Sequence, residues 1–563
     1  MKQAAARLSP LHLSDGRSAG SVLQTAGSLL WIPQAALLAW SLQSLTDGGG
    51  MRSVVLPALA VFMLGVLRAV CEMAGTRLTF KRARAHLSKI RAVLADSLAM
   101  RSPLDPQRPA SGLAASAMAE QAEAILPYLA RYQPARMRAT LVPLFILSAV
   151  FSVSWLAGLI LLVAAPLIPI FMALVGWRAK AASEAQMSEI GGMNGFLLDR
   201  LRGLTTIRSL QAVDLTANRL QSAAHALRRR TMAVLRIAFL SSAVLELFAA
   251  LGVAMVAVYI GFHLLGQLNF GAWSGKLSLG QGLFVLLLAP SFFEPLRELS
   301  AVWHDRAAGE AALEQIERLT RQGMPLPEAG LHAVGQTSAR HDAMRAPTIA
   351  VRNLHFSYPD SGHAVFAGLN LHIERGEHVA IVAPSGAGKS TLLSLMAGMA
   401  SPQQGDIVIG DCRLQADTAA ALRARMAWIG QKPHVFAGSV RSNVTLGRAG
   451  MDSGDVELAL RLAALHKVRQ AQAGVMLAEM GGGLSGGEAV RLALARAAAH
   501  PHADILLVDE PTAHLDRDTA EEVMRALLHL AQGRTMAVAT HDMALVQRLD
   551  RSIVLGEREK VRA

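Results

Sequence analysis

The sequence predicts a helical membrane domain of six spans, fused to an α/β domain that carries a phosphate-binding loop. Three observations support this fold class: long uncharged stretches in the first half, basic residues concentrated between them, and a small-residue loop after an apolar strand in the second half. Apolar types make up 52% of the 563 residues and charged types only 17%, against roughly 25% charged residues in soluble domains. This composition excludes a disordered chain. Two cysteines, Cys71 and Cys412, exclude a disulfide scaffold and a four-thiolate zinc site.

The uncharged stretches are long enough to cross a bilayer. Residues 18–46 form 29 positions without a charge, and about 20 apolar residues span the hydrocarbon core as a helix. Between Arg138 and Arg178 lie 39 uncharged residues, which we divide into two spans near residues 152–155 because a single helix would far exceed the bilayer. The remaining predicted spans are 53–75, 237–266 and 277–295.

The distribution of charge predicts how these spans are oriented. Residues 77–108 carry eight basic side chains and residues 178–236 carry ten, whereas the opposite loops hold chiefly Arg52 and Lys276. Because cytoplasmic loops are enriched in Lys and Arg, we expect both basic stretches and the N-terminus in the cytoplasm. The basic residues responsible for the formal charge of +13 therefore flank membrane spans. This placement argues against nucleic-acid binding. Helical spacing of apolar residues in both stretches predicts that spans two to five continue as long helices below the bilayer.

The second half contains a phosphate-binding loop in a strand–loop–helix context. Small residues let backbone amides curl round phosphates at a helix N-terminus, while a lysine reaches the β and γ oxygens and a hydroxyl faces Mg²⁺. The lysine here is Lys389 and the hydroxyl belongs to Ser390. The loop comprises Ala383, Pro384, Ser385, Gly386, Ala387, Gly388, Lys389, Ser390 and Thr391. Glycine is usual at the first position, so Ala383 costs about 1 kcal/mol if that position needs a positive φ.

Further motifs follow in an order that predicts ATP hydrolysis. Asp509 and Glu510 end an apolar strand; we expect Asp509 to hold Mg²⁺ through water and Glu510 to orient or deprotonate the attacking water. Tyr358 precedes the loop and can stack on adenine, while Gln431 and His541 each follow a strand. Four residues begin a helix whose bare amides favour an anion: Ser485, Gly486, Gly487 and Glu488. Each feature alone has an ordinary structural explanation, such as a helix cap or a solvated sheet edge.

Together, across residues 349–556, these motifs resemble the ATP-binding cassette of ABC transporters. The resemblance implies that Gln431 and His541 take part in catalysis, with Gln431 also near Mg²⁺. It also implies that Ser485 contacts a nucleotide held by a second cassette, so the working form is a dimer. The signature of this family usually ends in Gln, and here it ends in Glu488. Six spans and one cassette resemble a half-transporter of the type I exporter class, in which turns near 101–108 and 201–209 couple to cassettes.

The membrane half is similar to a narrower family. Residues 164–176, 196–204, 236–246 and 288–297 resemble the D-subunit family of CydDC transporters. The resemblance implies a heterodimer with a CydC-like half-transporter in the bacterial inner membrane. It further implies ATP-driven export of cysteine and glutathione to the periplasm, in support of cytochrome bd assembly. Three alternatives stay open: a haem-linked transporter of the same fold, a lipid or drug exporter, and a regulatory half-transporter that binds ATP without turnover.

Charged residues within the spans are expensive, at about 3 kcal/mol each at the bilayer centre. Arg68 and Glu72 lie one turn apart and can pair, Glu246 lies inside span five, and Glu294 and Arg297 lie at the end of span six. We expect them to face a cavity, a partner charge or the interface. They can serve a zwitterionic thiol or simply join helices. Cys71 beside the Arg68–Glu72 pair suits packing, and His263 and His304 suit either the interface or haem.

The sequence thus predicts four segments. They are a cytoplasmic N-terminus (1–17), a transmembrane domain (18–310), a linker (311–347) and a nucleotide-binding domain (348–563).

Overall fold

The structure is a computed structural model. It describes residues 18–109, 111–167, 170, 193, 196–197, 199–201, 203–273, 275–321, 323–327, 346–359, 361–448, 450–466, 468, 475–477, 484–500 and 502–555. The predicted N-terminal segment, most of the linker and most of residues 164–192 lie outside these ranges. The chain divides into two compact units, Met1–Ala95 with Ala110–Arg321 and Asp96–Pro109 with Gln322–Ala563.

Helices make up most of the described part of the first unit. Its helices are α1 (Ala19–Leu29), α2 (Trp31–Thr46), α3 (Arg52–Ala99), α4 (Ser111–Ser116), α5 (Ala122–Pro127), α6 (Gln133–Val153), α7 (Trp155–Ala164), α8 (Leu204–Ser209), α9 (Val213–Leu264), α10 (Leu279–Ala301) and α11 (Trp303–Arg321), with π-helical turns at Ala117–Gln121 and Tyr128–Tyr132. Helix α3 runs for 48 residues and α9 for 52, which confirms that the second and fifth spans extend into long helices.

Five stretches of the described chain are long and apolar enough to cross a membrane. They are Ala19–Thr46, Arg52–Ala99, Ser111–Val153, Ala243–Leu264 and Leu279–Arg321. The shorter apolar helix α7 begins the fourth predicted span, and the rest of that span lies outside the described residues. The order of the spans along the chain is as the sequence predicts.

The break between the third and fourth spans lies at Ser154. Its backbone is extended, with φ −145° and ψ 118°, and its hydroxyl accepts a hydrogen bond from the amide of Ala157 at the start of α7. The same hydroxyl donates to the carbonyl oxygen of Gly271 at 2.7 Å. Ser154 is fully buried, so these contacts satisfy polar groups that the interruption of the helix leaves free. The predicted division near residues 152–155 is confirmed.

Helix α10 occupies the centre of the membrane unit, packed against α2, α6 and α9. Its Phe292 and Phe293 are buried and meet edge to face, with ring centroids 5.0 Å apart. Residues Val142, Ile146 and Val150 follow each other at four-residue spacing along α6 and enter the same core. This spacing places them on one face of the helix, and the core they form positions the charged ends of α6 and α10.

The described part of the second unit is an α/β domain. Its strands are β1 (Ile349–Phe356), β2 (Phe366–Ile373), β3 (His378–Val382), β4 (Gln404–Ile409), β5 (Cys412–Arg413), β6 (Met426–Ile429), β7 (Gly438–Ser439), β8 (Met476–Leu477), β9 (Ile505–Asp509), β10 (Thr535–Ala539) and β11 (Arg551–Val554). Its helices are α12 (Lys389–Met396), α13 (Ala419–Arg423), α14 (Val440–Thr445), α15 (Ser453–Leu462), α16 (Gly486–Ala498), α17 (Arg517–Ala531) and α18 (Met543–Val546).

A five-stranded parallel sheet organises this domain, with the strand order β11-β3-β10-β9-β6. An antiparallel sheet, β2-β1-β4-β5, and the short pair β7-β8 accompany it. Along β9, Ile505 and Leu507 enter one buried cluster whereas Leu506 and Val508 enter another. Both faces of the sheet are therefore covered, as the continuous apolar runs predict. The carboxyl ends of the parallel strands meet at one edge, where ligands bind in sheets of this kind.

The segment 96–109, which follows α3, belongs to the second unit. The amide of Ser102 donates to the carbonyl oxygen of Met324 at 2.9 Å, and the amide of Leu326 donates to that of Met100 at 2.8 Å. The Ser102 hydroxyl donates to the carbonyl oxygen of Met399, three residues beyond the end of α12. The turn expected at residues 101–108 is therefore tied to the start of the linker and to the helix of the phosphate-binding loop.

Candidate functional site

The phosphate-binding loop joins β3 to α12 and has the curled backbone that its composition predicts. Gly386 and Gly388 have φ values of +83° and +94°. A Cβ on Gly388 would lie 2.6 Å from Val365 Cγ1, so both conformation and space require glycine there. Ala383 is buried and lies outside the positive-φ region. The strain expected if this position needed a positive φ therefore does not arise.

Lys389 lies at the first turn of α12 with its ammonium group turned back over the loop. Its Nζ donates to the carbonyl oxygen of Ala383 at 2.7 Å and lies 3.4 Å from Glu510 Oε1. The side chain is buried. A buried ammonium beside the amides of a helix N-terminus forms a concentrated positive site, which suits the β and γ oxygens of a nucleotide.

Glu510 directly follows β9 and connects it with the end of β10 and with the phosphate-binding loop. Its amide donates to the carbonyl oxygen of Ala539, the last residue of β10, at 2.8 Å. One carboxylate oxygen faces Lys389, and the other lies 2.7 Å from His541 Nδ1. The φ of Glu510 is +47°, a strained value for a residue with a Cβ. The backbone is thus held in an unfavourable conformation that aims a buried carboxylate at the space beside Lys389.

Asp509, the last residue of β9, has a buried and incompletely satisfied carboxylate. Its Oδ1 has no hydrogen-bond partner among the described residues. Burial raises the pKa of Asp509 and the nearby charge of Glu510 adds to the rise, while the hydrogen bond with Ser390 and the charge of Lys389 oppose it. A buried unpaired oxygen is costly, and a carboxylate beside a hydroxyl suits a hard divalent cation. Asp509 and Ser390 therefore fit Mg²⁺.

Tyr358 lies beside the end of the phosphate-binding loop. Its hydroxyl is 2.7 Å from the Thr391 hydroxyl, and its ring packs edge to face on Phe356 with centroids 5.3 Å apart. The structure thus places Tyr358 beside the loop, and its stacking on adenine stays a prediction. Gln431 is exposed two residues after β6, at the same sheet edge as the loop.

The signature residues form the N-terminus of α16. Ser485 is the N-cap: its hydroxyl accepts from the amide of Glu488 at 3.3 Å, while its own amide donates to Glu488 Oε2 at 2.7 Å. This reciprocal capping box gives Glu488 a structural role in the chain. Gly487 is required by space, because a Cβ there would lie 2.3 Å from Thr519 Cγ2.

One residue that supports the site was not found from the sequence. Asp542 accepts a hydrogen bond from the Thr512 hydroxyl at 2.8 Å, and its amide donates to the Thr540 hydroxyl at 3.0 Å. It therefore ties the turn after Glu510 to the turn that carries His541. The available signal was its place between His541 and the short helix α18, which Asp542 caps by accepting from Ala544.

Four of the charged residues expected in or near the spans form ion pairs. Arg68 Nε lies 3.1 Å from Glu72 Oε1, as expected, and Arg297 Nη1 lies 3.1 Å from Glu246 Oε1, which joins α10 to α9. His263 is buried and its Nε2 accepts from the amide of Leu277 at 3.1 Å.

The two other residues singled out near the spans have ordinary neighbours. His304 Nε2 lies 3.1 Å from Asp305 Oδ1. Cys71 packs beside Gly27, where an added Cβ would lie 3.3 Å from its own. These contacts suit interfacial and packing roles.

Comparisons with known proteins agree with this architecture. Residues 366–513 match the ABC transporter family, and residues 19–287 match the ABC transporter transmembrane region. The two matches make the chain an ATPase coupled to transport. A solved structure of a bacterial Atm1-family ABC exporter with ATP bound has a TM-score of 0.73, covering 94% of this chain and 93% of its own at 21% identity. That likeness shows the fold.

Two curated relatives match nearly end to end. The glutathione/L-cysteine transport system ATP-binding/permease protein CydD of Haemophilus influenzae is 34% identical, over 96% of this chain and 91% of its own. The corresponding protein CydC of Bacillus subtilis is 28% identical, over 95% and 90%. The chain therefore belongs to the ABC transporter family, within the group of CydD ATP-binding/permease proteins.

Proposed function

We propose that the chain is one half of an ATP-driven exporter that moves small thiols, cysteine and glutathione, from the cytoplasm to the periplasm. The single observation that carries the ATPase part is the buried Glu510 carboxylate held between Lys389 and His541. The thiol part is supported by the 34% identity to a relative named for glutathione and L-cysteine. Support of cytochrome bd assembly follows from the same kinship.

Hydrolysis begins with phosphate binding by the loop amides and Lys389 Nζ. A γ-phosphate beside Lys389 draws the ammonium away from Glu510, which leaves that carboxylate free to accept a proton from water. His541, whose amide donates to the second carboxylate oxygen and whose Nδ1 lies 2.7 Å from it, fixes the orientation of Glu510 and adds a donor near the developing charge. Ser390, Asp509 and Gln431 would hold Mg²⁺, which supplies neutralisation of phosphate charge. Tyr358 stacks on adenine.

The working form is a heterodimer with a CydC-like half-transporter. In this arrangement Ser485, Gly486 and Gly487 complete the nucleotide site of the other cassette. The capping box leaves the hydroxyl of Ser485 and the first amides of α16 at a positive helix end, which suits a γ-phosphate. The carboxylate of Glu488, already bonded to the Ser485 amide, acts by holding this end in place.

The complex lies in the bacterial inner membrane with its cassettes in the cytoplasm. For the chain we propose the four segments that the sequence predicts: the N-terminus (1–17), the transmembrane domain (18–310), the linker (311–347) and the nucleotide-binding domain (348–563). The eighteen basic residues of segments 77–108 and 178–236 support this orientation.

Thiol-stimulated ATP hydrolysis tests the proposal. The chain, purified together with its C-type partner, should hydrolyse ATP faster when cysteine or glutathione is added. The same complex with Glu510→Gln should show no such rise. Stimulation by haem or lipid but by neither thiol would contradict the substrate and leave the ATPase assignment intact.

A further inference from the structure

A charged cavity of about 560 Å³ lies within the membrane unit. Small-molecule sites usually range from roughly 300 to 1,000 Å³, so the volume suits a ligand of the size of an amino acid or small peptide. Residues of α1, α2, α3, α6, α9 and α10 line it. Ionisable side chains inside a membrane domain mark substrate pathways because each is costly to place there.

Two of the arginines in this cavity already pair with carboxylates of the same unit. Arg68 pairs with Glu72 at 3.1 Å and also lies over the ring of Trp31, with its guanidinium carbon 5.8 Å from the ring centroid. Arg138 of α6 pairs with Glu298 of α10. The contact with Trp31 joins α3 to α2, and the Arg138–Glu298 pair joins α6 to α10.

The third arginine, Arg297, is the most exposed of the three. Arg297 meets Glu246 through Nη1, and the two side chains are 42% and 74% exposed. A guanidinium carries five N–H donors, so Arg297 can take a second carboxylate while it keeps the first. Glu294 lies three residues earlier on α10, on the same face of the helix, and forms no ion pair among the described residues. A carboxylate that can bind a cation, Glu294, and a guanidinium that can bind an anion, Arg297, therefore lie side by side.

The backbone of α10 provides one more acceptor at this place. Pro295 lies inside the helix and has no amide to donate to the carbonyl oxygen of Ser291, four residues earlier. Both Ser291 and Glu294 line the cavity. An ammonium group is usually surrounded by acceptors of this kind: here the Glu294 carboxylate and the Ser291 carbonyl oxygen, which lacks its helical donor.

We propose that this cavity recognises the α-amino acid group of the cargo. The ammonium binds between Glu294 and the carbonyl oxygen of Ser291, and the carboxylate binds Arg297. The inference rests on the proposed export of small thiols and deepens it: the zwitterion, present in both cysteine and glutathione, determines recognition, and the thiol does not. S-methyl-L-cysteine should therefore compete with cysteine, whereas N-acetyl-L-cysteine, which lacks the ammonium, should compete poorly.

The test uses uptake of labelled cysteine into inside-out vesicles that contain the complete heterodimer. Glu294→Gln should raise the KM for cysteine roughly ten- to hundredfold, as expected for loss of a charged hydrogen bond, and should leave the weak inhibition by N-acetyl-L-cysteine unchanged. Glu294→Asp should keep part of the preference for cysteine. Arg297→Gln should raise the KM for cysteine. It should leave competition by cysteamine, which lacks the carboxylate, unchanged. The matched control is Glu123→Gln, since Glu123 pairs with Arg84 and Arg91 outside the cavity.

The outcomes separate this inference from the function on which it rests. Equal competition by cysteine and N-acetyl-L-cysteine in the unmodified complex would overturn the inference without any variant. An unchanged KM in Glu294→Gln, with cysteine uptake intact, would overturn it while export stands. Absence of thiol uptake by the unmodified complex, with ATP hydrolysis intact, would overturn both.

Discussion

Glu510 is the residue on which the chemistry of this chain depends most. It is buried, strained at φ +47°, and held between Lys389 and His541. Strained backbones persist where the surrounding structure fixes them, often at functional sites. Here the hydrogen bond that the Glu510 amide donates to the carbonyl oxygen of Ala539, at the end of β10, provides that fixation, so the carboxylate needs no reorganisation when a nucleotide arrives.

Replacing Glu510 with Gln tests its role directly. The amide keeps the shape of the side chain but is a poor proton acceptor. ATP binding should therefore persist, while kcat falls by roughly a hundredfold or more. Steady-state hydrolysis by the assembled heterodimer and binding of a fluorescent nucleotide measure the two effects. Near-normal turnover would remove Glu510 from the role of base.

Asp509 makes a prediction about stability. Because burial raises its pKa in the folded protein, its contribution to stability is fully present below the unfolded pKa and is lost as the pH rises through the folded pKa. Above the folded pKa the ionised carboxylate therefore destabilises the nucleotide-free protein. Asp509→Asn should raise the Tm of that form.

The same variant tests the metal role of Asp509. Mg²⁺ with ATP should stabilise the unmodified protein by about 2.7 kcal/mol at a hundredfold excess over Kd. For Asp509→Asn, ATP with Mg²⁺ should stabilise the protein little more than ATP with a chelator does. Thermal unfolding with and without Mg²⁺ measures both effects. An unchanged response to Mg²⁺ would contradict the assignment of Asp509 as a ligand.

The segment 96–109 is the element that links a membrane helix to the cassette chemistry. It continues from α3 and is fixed by Ser102 to Met399, next to the helix of the phosphate-binding loop. Gly323 packs closely against the segment 96–109. Its φ is +124°, and a Cβ there would lie 2.5 Å from Asp105 Oδ2 and 3.0 Å from Arg101 Nε. Both neighbours are buried, so neither can move aside cheaply.

Gly323→Ala should therefore loosen the segment 96–109 from the cassette. We expect the number of cysteine molecules transported per ATP hydrolysed to fall severalfold, while the phosphate site itself stays intact. Gly362→Ala is the control, because Gly362 has open space and no positive φ. Uptake and hydrolysis measured in the same vesicles give the ratio, and an unchanged ratio in Gly323→Ala would contradict this role.

Local elements could be predicted from the sequence, whereas long-range contacts could not. The strand, loop and helix around Lys389 follow from the composition of the segment and the spacing of its apolar residues. The break at Ser154 follows from the length of the uncharged stretch between Arg138 and Arg178. The capping box of Ser485 and Glu488 was also available from its three-residue spacing. The bond from Ser102 to Met399 joins residues 297 apart, and no local pattern encodes it. The backbone angle of Ala383 was equally hidden, because φ depends on the path of the loop.

At the scale of the whole molecule, the basic stretches predict cytoplasmic exposure of residues 77–108 and 178–236. Ser209 is exposed, whereas Ser102 is fully buried and unsuited to labelling. In a chain with Cys71→Ser and Cys412→Ser, a cysteine at Ser209 should resist an impermeant maleimide in intact cells and react after lysis. A cysteine at Met51, which is 80% exposed on the opposite loop, should react in intact cells. The reverse pattern would contradict the orientation.

The central claim is that ATP hydrolysis in this cassette moves a small thiol out of the cytoplasm. Inside-out vesicles containing the heterodimer convert that export into uptake that can be measured. They should accumulate labelled cysteine or glutathione only with ATP, and Lys389→Ala should abolish accumulation by removing the buried cation that binds phosphate. Uptake that proceeds without ATP, or equally well in Lys389→Ala, would contradict the account.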